Sequence, residues 1–136
     1  MSSAVSVELC PSQKSAVPAE EQELVFDRRV FLARVDGDRK FARDLVELFL
    51  EDQIEMMATI ASAVRTGDAV ELRLAAHSLR GTVANFSAPT ALKIAHRLEE
   101  MGRTGDLKDA PAVYAALVEA IGRLRFTLVE FATEVE

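Results

Sequence analysis

The sequence predicts an all-α fold, an antiparallel four-helix bundle with a short extra helix at its N-terminal end. Three observations lead there. Apolar residues recur at helical spacings of three and four over most of the chain beyond Phe26. The breaks between these runs are short and carry helix stop and start residues, as in Thr66-Gly67-Asp68, Ser87-Ala88-Pro89 and Gly105-Asp106. No alternating strand pattern and no Asn-Gly hairpin signal interrupts them.

Residues 1 to 25 are mostly Ser, Ala, Val, Pro, Glu and Gln, with prolines at 11 and 18 and no helical apolar period, so they read as a tail or linker ahead of a bundle over 26–136. Asp27 is placed to cap a short helix from Arg28 to Val35, whose apolar Val30, Phe31 and Val35 would close one end of the bundle before Asp36-Gly37 stops it. From Asp38 to Arg65 runs a long amphipathic pattern, Phe41, Leu45, Phe49, Met56, Ile60 and Ala63 or Val64, interrupted by Gln53. Thr66-Gly67-Asp68 then supplies a C-terminal glycine and the next N-cap, and so short a turn forces the two long neighbours to pack antiparallel.

The next helix spans about Ala69 to Phe86, with a core seam of Leu72, Ala76, Leu79, Val83 and Phe86 at spacings of 4, 3, 4 and 3. Ser87-Ala88-Pro89 reads as an N-cap followed by a first-turn proline, opening a helix from Ala88 to about Arg103 with Ala91, Ile94 or Ala95, Leu98 and Met101 inward. Asp109-Ala110-Pro111 starts the last helix, whose seam is Leu117, Ile121, Leu124, Leu128 and Phe131.

With 136 residues and 49% apolar content the chain is long enough for one domain with one core. No repeat at a fixed period points to a solenoid. The 16 basic and 22 acidic residues give a net charge of −6 with no basic stripe, which argues against nucleic acid as the main partner. The lone Cys10 can neither close an internal disulfide nor build a zinc site, so a reducing cytoplasm is the expected setting. No apolar run approaches the roughly 18 to 20 residues that span a bilayer, so no membrane association is expected. A monomer is the expected state.

The chemistry concentrates in Ala75-Ala76-His77-Ser78-Leu79-Arg80-Gly81-Thr82-Val83-Ala84-Asn85-Phe86. His77, Arg80, Gly81 and Ala84 stand at i, i+3, i+4 and i+7 and share one helix face. His77 is one residue past the seam position Ala76, hence about 100° around the helix from the core, and should be exposed at least in part. A single helix histidine is more often a side chain without a role, but a mid-helix glycine costs about 0.5 to 1 kcal/mol relative to alanine. Gly81 on the same face therefore suggests ground cleared for the approach of another protein. Val70 and Leu74 extend the stripe and form, with Gly81 and Ala84, a candidate docking face; Leu74 could equally be the edge of a wide core.

This run resembles the signature of histidine-containing phosphotransfer (HPt) domains: a His, any residue, an apolar residue, Lys or Arg, Gly and then small residues. The likeness extends more loosely from Phe26 to the C-terminus and includes Leu98-Glu99 and the Thr104-Gly105-Asp106 turn. The resemblance implies that Nε2 of His77 takes a phosphoryl group from the aspartyl phosphate of a response-regulator receiver domain and hands it to another receiver. It also implies that the receiver brings Mg²⁺ and the acidic pocket while this chain binds no cofactor, either free-standing or as the end piece of a hybrid histidine kinase. Arg80, often Lys in the family, would neutralise phosphoryl charge, unless it is simply a solvated arginine. Glu99 matches the position of a Gln or Glu that reaches the imidazole, where it could orient the ring through Nδ1–H or be half of an ordinary ion pair.

His96, the only other histidine, is followed by Arg97-Leu98-Glu99-Glu100 without a glycine and is expected to be exposed and unphosphorylated. Neither histidine has Glu at i−3, where Leu74 and Lys93 stand, so the Glu-x-x-His pattern of di-iron bundles is absent. Kinase ATP motifs and a Gly-rich phosphate loop are also missing, so neither ATPase nor autokinase activity is expected. The competing reading is a regulatory bundle that binds a receiver or kinase without carrying phosphate.

Overall fold

The computed structural model describes residues 25–134, and the expected tail falls almost wholly outside them. Among the described residues there are five helices and no strand: α1 (Arg28–Arg34), α2 (Arg39–Thr66), α3 (Ala69–Asn85), α4 (Pro89–Thr104) and α5 (Ala110–Glu134). Helix α2 packs against α3, α3 against α4 and α4 against α5, and α5 closes the ring on α2. This is the expected antiparallel bundle, with α1 as the short extra helix across one end.

Local chemistry sets the boundaries. Aspartates cap three helices in the same way: Oδ1 of Asp27, Asp38 and Asp68 accepts from the backbone N–H of Val30, Phe41 and Glu71 at 3.2, 3.0 and 3.0 Å. Gly67 and Gly105 end α2 and α4 in the left-handed conformation, φ 73° and 83°, each returning its N–H to a carbonyl of the last turn. Helix α4 departs from expectation. Its N-cap is Ala88, not Ser87, and makes no side-chain cap bond; Ser87 instead has φ 53° and turns the chain. Pro89, first in the helix, has no N–H, so the first turn carries one donor fewer to satisfy.

The core is continuous through all five helices. The expected seams of α3 and α5 are buried at every position. In the first two turns of α2 the seam lies one residue further on, with Ala42 and Val46 buried while Phe41 is exposed and Leu45 half-buried; Phe49 is buried as expected. Gln53, expected as an interruption, belongs to this seam: it is buried, and its Nε2 donates to the Leu50 carbonyl at 3.4 Å. At α1, Val30 points outward, while Phe31 and the C-cap residue Val35 are buried as expected. In α4 the inward positions are Ala91, Ala95, Leu98 and Gly102, with Met101 and Ile94 half-buried beside them.

An aromatic cluster closes the end under α1. The Phe31 ring stacks on Phe86 with centroids 5.1 Å apart and meets Phe131 edge-on at 5.7 Å, while Phe49 packs on Phe86 at 5.1 Å. The Asp27 N–H donates to the Ser87 carbonyl at 2.8 Å, and Arg34 Nη1 donates to the Ala84 carbonyl at 3.1 Å. Helix α1 thus adds a second donor to the Ala84 carbonyl in the last turn of α3, which also accepts from the Ser87 N–H at 3.1 Å, and places a cation where the helix dipole favours one.

Candidate functional site

Helices α3 and α4 approach at Gly102. A Cβ built there would lie 2.6 Å from the Arg73 nitrogen, 2.7 Å from the Ala69 carbonyl oxygen and 2.8 Å from the Arg73 Cα, all backbone atoms of α3. Only a residue without a side chain permits that contact. His77 is one turn beyond Arg73 on α3, and Glu99 is one turn before Gly102 on the antiparallel α4. The tight crossing therefore brings these two side chains within reach of each other.

At this point His77 Nδ1 is 2.9 Å from Glu99 Oε2, and Arg80 Nε donates to Glu99 Oε1 at 2.6 Å. Arg80 Nη2 also comes within 3.1 Å of His77 Nδ1. Both contacts to Nδ1 cannot be hydrogen bonds of one tautomer, because a carboxylate needs a donor there and a guanidinium needs an acceptor. The shorter contact is to an ionised carboxylate, which would repel a lone pair on Nδ1, so Nδ1 carries the proton and donates to Glu99. Arg80 is then held by Glu99 and lies against the ring edge as a charge.

Exposure within the triad is graded. The His77 side chain is 62% exposed, Arg80 36% and Glu99 16%. Partial burial alone would raise the Glu99 pKa, but hydrogen bonds from His77 and Arg80, with the positive charge of Arg80, outweigh it and hold the carboxyl below its usual range. Glu99 stays ionised at neutral pH, and Nε2 is the ring nitrogen left without a partner among the described residues.

The remaining residues singled out in the sequence divide clearly. A Cβ at Gly81 would meet nothing within 4 Å, so no internal packing requires glycine there. Val70 and Leu74 are exposed on the same side of α3, which removes Leu74 from the core. Ala84 is half-buried, and its carbonyl is engaged by Arg34. His96 is exposed on α4 and has no place in the triad.

Two features escaped the sequence reading. The first is the Arg80–Glu99 pair, which joins helices 19 residues apart in sequence and leaves no local trace. The second is an apolar groove between α1, α2 and the end of α3, walled by Phe41, Leu45 and Leu48 of α2 and by Thr82 and Asn85 of α3. Its signal was present: Phe41, Leu45 and Leu48 repeat at helical spacing directly beside the true seam of Ala42, Val46 and Phe49. An apolar arc that wide leaves one stripe outside a bundle core.

Among the described residues, no helix is long and apolar enough to cross a membrane, and no group of three or more His, Cys, Asp or Glu side chains is placed to hold a metal ion.

Over residues 44–127 the chain matches the family model described as Hpt domain. It is also similar to a solved structure, the crystal structure of histidine-containing phosphotransfer protein B (HptB) from Pseudomonas aeruginosa PAO1. The two are 27% identical with a TM-score of 0.75, and the match covers 80% of this chain and 95% of that one. No curated protein matches the chain.

Proposed function

Because the chain belongs to the Hpt domain family, whose members carry phosphoryl groups in phosphorelays with response-regulator receivers, we propose that His77 is its phosphoacceptor and Nε2 the atom that carries the group. The observation that supports this most is the engagement of Nδ1 by Glu99 on a ring that is largely exposed.

In the forward step the Nε2 lone pair attacks phosphorus in the receiver's aspartyl phosphate. The N–P bond forms, the bond from phosphorus to the carboxyl oxygen breaks, and the aspartate leaves as a carboxylate. Nδ1 keeps its proton throughout, so the phosphorylated ring bears a positive charge that the Glu99 carboxylate faces. In the reverse step a second receiver's carboxylate attacks the same phosphorus, and the ring leaves neutral. Such transfers depend on in-line placement and charge neutralisation, and Mg²⁺ would come with the receiver. Arg80, fixed by Glu99, presents its cation beside the ring without needing to be ordered during the reaction.

The docking face we assign to the receiver includes Val70, Leu74, Gly81 and Ala84. It extends along the Phe41–Leu48 groove, whose exposed apolar side chains adjoin the C-terminal half of α3. In this reading the chain is a cytoplasmic monomer with neither ATPase nor autokinase activity.

Incubation with a phosphorylated receiver and Mg²⁺ tests the assignment. The label on this chain should be acid-labile and base-stable, vanish in His77→Gln and persist in His96→Gln. A label that survives His77→Gln and vanishes in His96→Gln would move the site to α4. No label on the wild-type chain from any receiver of its source would favour a regulatory bundle that carries no phosphate.

A further inference from the structure

The two flanks of His77 differ in charge. Arg73, His77 and Arg80 stand at i, i+4 and i+7 on the side where α3 meets α4: the Arg73 backbone lies against Gly102, and Arg80 is paired with Glu99. On the other side α3 meets α2. There Ser78, the residue after His77, lines a shallow groove with Ala75 and with Asp52, Glu55, Met56 and Thr59 of α2, and no cation borders it. Asp52 also lines the apolar groove of Phe41, Leu45 and Leu48, so the two grooves continue one another along the α2–α3 seam.

Asp52 and Glu55 are exposed, and neither is in an ion pair among the described residues. Their own helix does not balance them. No Lys or Arg stands three or four residues from either, and the neighbours at those spacings include more acid, Asp52 with Glu55 and Glu55 with Glu51. Like charges one turn apart destabilise a helix. The same carboxylates repel an anionic phosphoryl donor on its way to the adjacent histidine. Taken alone they disfavour both the fold and the reaction, and a cation carried in by the docking partner removes both penalties. The seam they occupy is continuous with the apolar docking groove, so the partner that meets them is the one that meets the groove.

Resting on the assignment of this face to a receiver, we propose that Asp52 and Glu55 are specificity-determining residues, which select receivers that present a Lys or Arg to the α2 side of His77. A receiver with a cation there is attracted and held in register over the apolar groove. One with Asp or Glu at the same place meets like charge and is turned away. Selection of this kind acts on association and weakens as salt screens it.

The test phosphorylates each receiver of the source with a small acyl phosphate and follows transfer to the full chain as receiver concentration is raised. For the receiver that labels wild type most efficiently, the double variant Asp52→Lys, Glu55→Lys should need about tenfold more receiver for half-maximal rate at low salt. Its maximal rate should be unchanged, and most of the difference should vanish at high salt. The double variant Glu119→Lys, Glu130→Lys makes the same change of net charge on the exposed face of α5 and should behave as wild type. A half-maximal concentration that the first variant leaves unaltered, or that both variants raise alike, overturns the proposal. So does tighter docking of the first variant, because the carboxylates would then do no more than repel the phosphoryl group. In all these outcomes wild type is still labelled; no label on wild type would overturn the phosphoacceptor reading and this proposal with it.

Discussion

Two glycines interrupt adjacent helices, Gly81 in α3 and Gly102 in α4, and their surroundings are opposite. At Gly102 an added methyl group would be driven to within 2.6–2.8 Å of the α3 backbone, while at Gly81 it would enter open space. One absence of side chain serves a contact inside the molecule. The other serves nothing within it, although each costs about the same helix propensity, roughly 0.5 to 1 kcal/mol relative to alanine. A residue retained at that cost without an internal use indicates an external one, and Gly81 stands one turn from His77 on the surface assigned to the receiver. The comparison also links the two sites: the approach allowed by Gly102 positions Glu99 to hold the ring that Gly81 leaves accessible.

The largest expected effect is at the internal site. Gly102→Ala should lower folding stability by about 3 kcal/mol, because the clash is with backbone that cannot rotate away. Urea denaturation measures it, and a loss below about 0.5 kcal/mol, the size of an ordinary surface substitution, would mean that the helices part without cost. Gly81→Gln should leave circular dichroism unchanged and reduce phosphoryl transfer about tenfold, equivalent to about 1.4 kcal/mol in the transition state. An unaltered transfer rate would remove the external role of Gly81 and, with it, the contrast.

Arg80→Ala should slow transfer by a similar or smaller factor without unfolding the bundle; an unaffected rate would reduce Arg80 to a support for Glu99. Glu99 gives a pH signature. Its folded pKa is depressed, so its ionised form contributes stability that is present above the ordinary carboxylate range of about 4.3 and is lost as pH falls through the depressed value. The stability gap between wild type and Glu99→Gln should therefore be full at neutral pH and close in acid, as thermal melts at a series of pH values would record. A gap independent of pH would separate Glu99 from the charge network. The smallest effect is Gly81→Ala, which should stabilise the fold by about 0.5 to 1 kcal/mol, the reverse in sign of the same change at Gly102.

These contrasts also mark what the sequence could reveal. The seams of α3 and α5 are built from large aliphatic and aromatic residues at regular spacing, so their faces could be read directly. At the start of α2 the buried positions Ala42 and Val46 are smaller than their neighbours, the exposed Phe41 and the half-buried Leu45, so size points to the wrong stripe there. The polar Gln53 on the seam compounded this. His77, Arg80 and Gly81 were legible because they belong to one helix and one short motif. The contact of Glu99 with the His77 ring was implied only by the family resemblance, and the Arg80–Glu99 bond and the function of Gly102 not at all, since each depends on the distance between two helix axes, which no stretch of a single helix encodes. The turn at Ser87 was misread for a related reason: a serine before a proline suits a cap, and only the packing of Phe86 and Ala88 on either side puts it in the left-handed region.

The hydrogen bond from Nδ1 to Glu99 has a consequence for the identity of the product. An imidazole can be phosphorylated at either nitrogen, giving two positional isomers with different reactivity. With one nitrogen already committed to a carboxylate on the neighbouring helix, a donor meets a ring with a single open address, and phosphohistidine should form as one regioisomer. A chain lacking that carboxylate would have lost its regiochemical control before it lost its fold.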